Sequence, residues 1–308
     1  MVDVSFFMQR ITHWDFFITM FIKENCMNTI NKNIINAKGK IDYTFTNDFV
    51  FRAILQRNKN VLTALICSLL HLATDEVDVT ITNPIELGNA FSDKDFILDI
   101  RVEMSDGRLI DLEMQMTNEY NWPERSISYA ARTFDSLPTG KDYIEVKPIH
   151  SIGFLNFTLF PQAPEFYATY QLMNIKTHQL YSSKFSIHVV DLSRIDLATE
   201  EDSEYEIDRW AKLFKASTWE ELFMVAKNNP TLMQASNDLY EINADELMRQ
   251  KARARADAEF WERNKNARLK KQEEIIEKQR QSLAEQKMMM EEKDALIRKL
   301  QNQLSEQK

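Results

Sequence analysis

The residues of this chain best placed to do chemistry are two carboxylates, Asp99 and Glu113, carried by the stretch Phe96–Met116, FILDIRVEMSDGRLIDLEMQM. The stretch reads as two β-strands joined by a tight turn at Ser105-Asp106-Gly107. Successive side chains of a strand point to opposite faces. One face collects Leu98, Ile100, Val102, Met104, Ile110, Leu112, Met114 and Met116, and the other Asp99, Arg101, Glu103, Asp111, Glu113 and Gln115. A two-residue Asp-Gly turn would pair Ser105 with Arg108 and mix apolar with charged side chains on both faces, as a one-residue slip does. A three-residue loop, Ser105 to Gly107 with the glycine left-handed, pairs Met104 with Arg108 and keeps one face clean. That register predicts Asp99 opposite Glu113, Arg101 opposite Asp111 and Ile97 opposite Gln115.

Two carboxylates face to face repel by ~3 kcal/mol at roughly 5 Å and an effective dielectric near 20. Typical cross-strand pairs contribute only about 0.2–1 kcal/mol. The repulsion is offset by a nearby cation, a shared proton or full solvation. A hard divalent ion such as Mg²⁺, bound through one or two carboxylates and several waters, is one such cation. A solvated charged face, with Arg101 and Asp111 as an ordinary cross-strand pair, is the alternative that the residues leave open.

At these positions the chain resembles the PD-(D/E)XK nuclease superfamily. Asp99, the hairpin and then Glu113-Met114-Gln115 look like its D…ExK core. More narrowly the chain resembles the recombination-promoting nuclease (Rpn) or transposase branch, whose third motif position is commonly Gln. The similarity runs from Thr46-Asn47-Asp48-Phe49-Val50-Phe51-Arg52 through the hairpin to Glu124–Tyr129. It continues into Gly140-Lys141-Asp142-Tyr143 and the strand from Pro148.

The resemblance implies an α/β, restriction-endonuclease-like fold: a mixed β-sheet core flanked by helices. It implies a DNA endonuclease dependent on Mg²⁺ or another divalent cation, acting in recombination or as a transposase-related enzyme. Asp99, Glu113 and the backbone carbonyl of Met114 would hold the ion. Asp48 matches the acid that the family places at the start of its first helix, although an acid in a first turn also suits the helix dipole. Gln115 departs from the superfamily's lysine. Its amide can hydrogen-bond the attacking water or a phosphate oxygen, but it has no charge to give and cannot act as a base. The rival reading is a catalytically inactive nuclease-fold protein serving as an interaction or DNA-binding module.

The elements that must position these residues follow from pattern. Thr46 or Asn47 can cap a helix that carries Phe49, Ile54 and Leu55 inward, and a second helix runs from about Val61 to Leu70. Val77–Ile81 alternates as a short strand that Asn83-Pro84 ends. Trp122-Pro123 opens a helix to about Leu137, with Ile127, Ala130, Ala131 and Phe134 as its core-facing stripe. Arg125, Tyr129 and Arg132 make a second stripe that could meet a phosphate backbone, since arginine binds phosphate two-pronged. The alternative there is a plain solvent face. Pro148–Phe157 and Phe185–Leu192 are apolar enough for buried central strands. Helices about a mixed sheet make an α/β sandwich.

The predicted domain spans residues 41–200, followed by a helical extension over 201–244 that Asn229-Pro230 interrupts. From Asp245 to Lys308 neither Pro nor Gly breaks a run rich in Ala, Glu, Lys, Gln and Arg, which reads as one long helix. Ile276, Leu283, Met290, Ile297 and Leu304 recur every seven residues, as in a coiled-coil seam. Gln279, Gln286 and Lys293 at the second seam position make that seam weak, so a homodimer through this helix is open. Arg249–Lys271 holds nine basic and three acidic residues, a stretch that could face DNA or simply be solvated.

The formal net charge is −9, which counts against a nucleic-acid partner, but the body is acidic and the tail from Asp245 carries 16 basic against 13 acidic residues. Two cysteines, Cys26 and Cys67, point to a reduced, cytoplasmic setting rather than a disulfide framework. His13, His71, His150, His178 and His188 lack metal-ligand spacing and read as structural. Phe16–Ile22 is too short to span a bilayer and lacks the features of a signal peptide. No membrane role is expected. Residues 1–40 read as a poorly defined extension, with translation starting at Met27 as one expectation.

Overall fold

The computed structural model describes residues 34–74, 77–84, 100–135 and 140–306, with side chains as far as residue 293. The expectations for residues 1–33, for Phe96–Asp99 and for the end of the helix at Leu137 lie outside the described residues. Two helices, α1 (Asp48–Arg57) and α2 (Lys59–Leu69), precede strand β1 (Val79–Ile81) and the hairpin β2 (Ile100–Met104) and β3 (Leu109–Gln115). Helix α3 (Trp122–Phe134) leads to β4 (Ile149–Leu155), β5 (Tyr167–Gln171) and β6 (Phe185–Asp191). Five helices follow: α4 (Glu200–Glu204), α5 (Ile207–Lys215), α6 (Trp219–Ala226), α7 (Pro230–Ala244) and α8 (Glu246–Glu306). The first compact unit runs to Ala256, and residues 257–308 form a second.

The six strands form one mixed sheet in the order β1-β2-β3-β4-β6-β5. Its centre, β3-β4-β6, is parallel, and the other pairings are antiparallel. Parallel strands covered on both faces are apolar nearly throughout, which accounts for IGFL in β4 and HVV in β6. Edge strand β5, YATYQ, carries no such run and is not singled out by the sequence pattern.

The hairpin adopts the register of the three-residue loop. Arg101 lies opposite Asp111, Val102 opposite Ile110 and Ile100 opposite Leu112. Gly107, at φ +88°, donates its N–H to the Met104 carbonyl, and the Met104 N–H bonds to the Arg108 carbonyl. The clean apolar face, Ile100, Val102, Met104, Ile110, Leu112 and Met114, is buried under α1, α2 and α5–α7. Three rings at the heart of that layer, Phe51, Phe154 and Phe214, meet edge-on with centroids 5.4–5.5 Å apart.

Helix α1 begins where predicted, with the Asn47 side chain accepting from the Val50 N–H. Asn47 also donates to the Ala252 carbonyl at 3.0 Å, so the base of α8 is fastened to the start of α1. Ala252 and Lys251 are buried there. The border expected between 244 and 245 thus falls at the start of α8, and the first unit takes in that helix's opening turns. Ile34 is likewise buried in the main core, ahead of the predicted start near Ile41.

Candidate active site

Helix α3 packs on β4 and β6, beside the polar face of the hairpin, and its seating is settled by one glycine. Glu113 pairs with Gly153 in the parallel ladder. A Cβ at Gly153 would come within 2.0 Å of the Trp122 ring, so the indole lies directly against the bare backbone beside Glu113. Trp122, Leu155, Ile187 and Val189 form a small second core on this face. With Trp122 as anchor, the buried stripe of α3 is Trp122, Ser126 and Ala130. This corrects the expected stripe: Ile127 is exposed, Ala131 is exposed and Phe134 is only half-buried. The ring-to-glycine fit outweighs the burial of one isoleucine and turns the helix accordingly.

That rotation aims Arg125 at the hairpin. Its Nη2 lies 2.5 Å from Glu113 Oε1, and Nη1 lies 3.8 Å from Glu119 Oε2. The guanidinium also sits 5.4 Å from the centre of the Tyr129 ring, and Arg132 sits 6.0 Å from the same ring. The three stripe residues are therefore gathered about one aromatic ring, in cation–π range. Burial works against the charge on Arg125. The Glu113 carboxylate, with Tyr129 and Glu119 behind it, outweighs that and raises the guanidinium pKa. Glu119 was not singled out from sequence, because an acid in a polar connecting segment carries no periodic signal.

Glu113 is 13% exposed at its side chain. Two residues on, Gln115 is buried on the same face. Its Nε2 donates to the Thr117 carbonyl at 3.1 Å, while its Oε1 is buried with no hydrogen-bond partner. Asp111, opposite Arg101, is buried as well. Met114 turns its side chain into the apolar core, leaving only its backbone for chemistry on this face. These are hard oxygen donors, of the kind that Mg²⁺ takes, and a buried acceptor left over beside a carboxylate suits a bound, hydrated cation. Asp99, the other expected ligand, lies outside the described residues. Among the described residues, no three His, Cys, Asp or Glu side chains gather as a metal site.

Asp48 is held elsewhere. Arg255 of α8 grips both its oxygens, Nε to Oδ1 at 2.9 Å, Nε to Oδ2 at 2.7 Å and Nη2 to Oδ2 at 2.6 Å. The basic stretch Arg249–Lys271 therefore puts Arg255 and the buried Lys251 into the fold itself. His150 and His188 pair with each other, Nδ1 to Nε2 at 3.0 Å, with Tyr167 Oη and Thr169 Oγ1 on the far nitrogen of His188 at 2.9 and 3.1 Å.

A mixed sheet with an acidic hairpin at its centre and helices on both faces is the architecture of a PD-(D/E)XK nuclease fold. A family model described as PD-(D/E)XK nuclease family transposase matches residues 45–268, and the chain belongs to that family. No curated protein matches the chain, and no solved structure does. Among the described residues no helix is long and apolar enough to cross a membrane.

Proposed function

We propose that this chain is an endonuclease that hydrolyses phosphodiester bonds in DNA, with Mg²⁺ or another divalent cation held between Asp99 and Glu113. One observation carries the reading. Over its described residues the hairpin runs from Glu103 opposite Leu109 to Ile100 opposite Leu112, the register from which Asp99 is expected to face Glu113. The Met114 carbonyl would complete the protein's share of the ligands. We leave Asp48 out of that set, because Arg255 engages both its oxygens.

When bound, the ion lowers the pKa of a water and stabilises charge developing on the phosphoryl oxygens. The chain's own residues orient the reactants. Gln115 has its amide N–H committed to Thr117, so its free Oε1 accepts a hydrogen bond from the attacking water and positions it without acting as a base. Arg125 and Arg132, flanking Tyr129, take phosphate oxygens along the strand.

The test is plasmid nicking by wild type, Asp99→Ala and Glu113→Ala in Mg²⁺ and in chelator. Wild type should nick only with the ion, and either alanine should abolish nicking. Equal activity in all three proteins would refute the assignment. Absence of cleavage with any divalent ion would favour the inactive interaction module, which the Arg125–Glu113 ion pair and the net charge of −9 also support. The family description supports a role in recombination or transposition, and the low cysteine content of the sequence supports a cytoplasmic setting. Pairing of two copies through the heptads of α8 belongs to the same proposal.

A further inference from the structure

We infer that Arg125 is the stand-in cation of Glu113: it holds the carboxylate until a divalent ion takes that place, and its guanidinium then passes to the DNA phosphate. The inference rests on the endonuclease reading above. It starts from the enclosure of Glu113, whose carboxylate is stabilised in its charged form by a cation beside it. Arg125 stands against it, its Nη2 2.5 Å from Oε1.

The contact leaves one arm of the guanidinium unused. Nη2 lies 2.5 Å from Glu113 Oε1, while the Arg125 Nε–H is buried with no hydrogen-bond partner. Arginine binds best through a fork of two parallel N–H groups. A phosphate can offer that fork its two oxygens, and Glu113 in this position does not. The guanidinium is therefore held well enough to neutralise the acid and incompletely enough to leave it.

The helix beneath it does not have to move. Trp122 against Gly153, with Ser126 and Ala130 buried, anchors α3, so the exchange is a swing of one long side chain. Tyr129 gives the departing guanidinium an aromatic face to slide along. A divalent ion and a guanidinium at one carboxylate repel each other, so occupancy is exclusive. Two effects of opposite sign follow. Removing the charge at Arg125 should tighten the ion and loosen the DNA.

The experiment is a titration of the full-length protein with Mn²⁺ alone, followed by the electron paramagnetic resonance signal of the free ion, for wild type, Arg125→Met, Arg125→Lys and Glu113→Gln. Arg125→Met should bind Mn²⁺ about tenfold tighter than wild type or better, a difference the loss of one charge-assisted contact can produce. Arg125→Lys, with the charge kept, should stay near wild type, and Glu113→Gln should bind much more weakly. In Ca²⁺, Arg125→Met should bind duplex DNA more weakly than wild type. Arg125→Gln is a second neutral variant, and melting curves confirm that each variant is folded. If Arg125→Met and Arg125→Gln bind Mn²⁺ no tighter than wild type while Glu113→Gln loses it, the handover is wrong and the metal site stands. If wild type and the arginine variants alike bind no ion, both the handover and the endonuclease reading fall.

Discussion

Adding one methyl group at Gly153 tests the link between the second core and the candidate site. The new Cβ would lie 2.0 Å from Cζ2 and 2.5 Å from Cη2 of Trp122, where ordinary contact begins at 3.4 Å. The backbone at Gly153 is not in the left-handed region, so Gly153→Ala meets no backbone strain and its cost is that of the ring alone. Trp122 is rigid and almost wholly buried, with Leu155, Ile187 and Val189 packed about it. Forcing a side chain into such a core costs about 1–3 kcal/mol. For a domain of this size each kcal/mol lowers the melting temperature by about 2–4 °C, so a fall of several degrees is expected in a thermal melt. Trp122→Phe in the same chain vacates the space that the methyl needs. The double variant should therefore be more stable than the sum of the single losses allows, by about 1 kcal/mol of coupling. Because Trp122 opens α3 three residues before Arg125, displacing the ring should also weaken the Arg125–Glu113 contact and reduce nicking. An unchanged melting temperature for Gly153→Ala, or strict additivity with Trp122→Phe, would refute the seating of α3 described above.

Other perturbations read other parts of the fold. Burial, with Arg108 nearby, lowers the pKa of His150 to about 4, and burial, with His150 and His71 nearby, lowers that of His188 to about 3. The unfolded chain takes up these protons near pH 6.5 and the folded chain does not. Stability is therefore complete above pH 6.5 and should fall by about 2–3 kcal/mol between pH 7.5 and 5.5 in urea titrations; His188→Gln should roughly halve that slope. Arg255→Met leaves the enclosed Asp48 carboxylate without its cation and should cost about 3 kcal/mol by denaturant midpoint, with Asp48→Asn in the same chain recovering part of the loss. Leu283→Lys places a charge in the middle of the exposed heptad positions Ile276, Leu283 and Met290, and sedimentation should show less self-association than wild type at equal concentration.

The hairpin was legible because its information is local. A period of two, an all-apolar face and a glycine at the third loop position leave one register, and Ile100–Leu112 through Glu103–Leu109 follow it. The caps were legible for the same reason, since Asn47 and its helix are neighbours in sequence. The rotation of α3 was not. Periodicity alone favours Ile127 as the inward residue, and only the meeting of Trp122 with Gly153, on a strand that comes after the helix, turns Ser126 inward instead. The base of α8 was hidden for a different reason: Lys251 and Arg255 look like solvated charges until Asp48 and the Ala252 carbonyl's partner Asn47 are brought to them.

The site inherits this division. Glu113 is positioned by the strand that carries it, whereas its counter-cation comes from a helix whose angle depends on a glycine on the neighbouring strand β4, far from that helix in sequence. Moving Arg125 back to position 124 would turn it roughly 100° about the helix axis, away from Glu113 and toward the face where Ile127 is exposed, and moving it on to 126 would put it in the buried stripe. The register of the hairpin thus decides which acid stands at the centre, and the Trp122–Gly153 contact decides which cation meets it. A substitution that alters the second without the first should change ion and DNA affinity while leaving the sheet intact. That is the behaviour expected of Trp122→Phe, and a loss of strand pairing in its amide hydrogen exchange would contradict it.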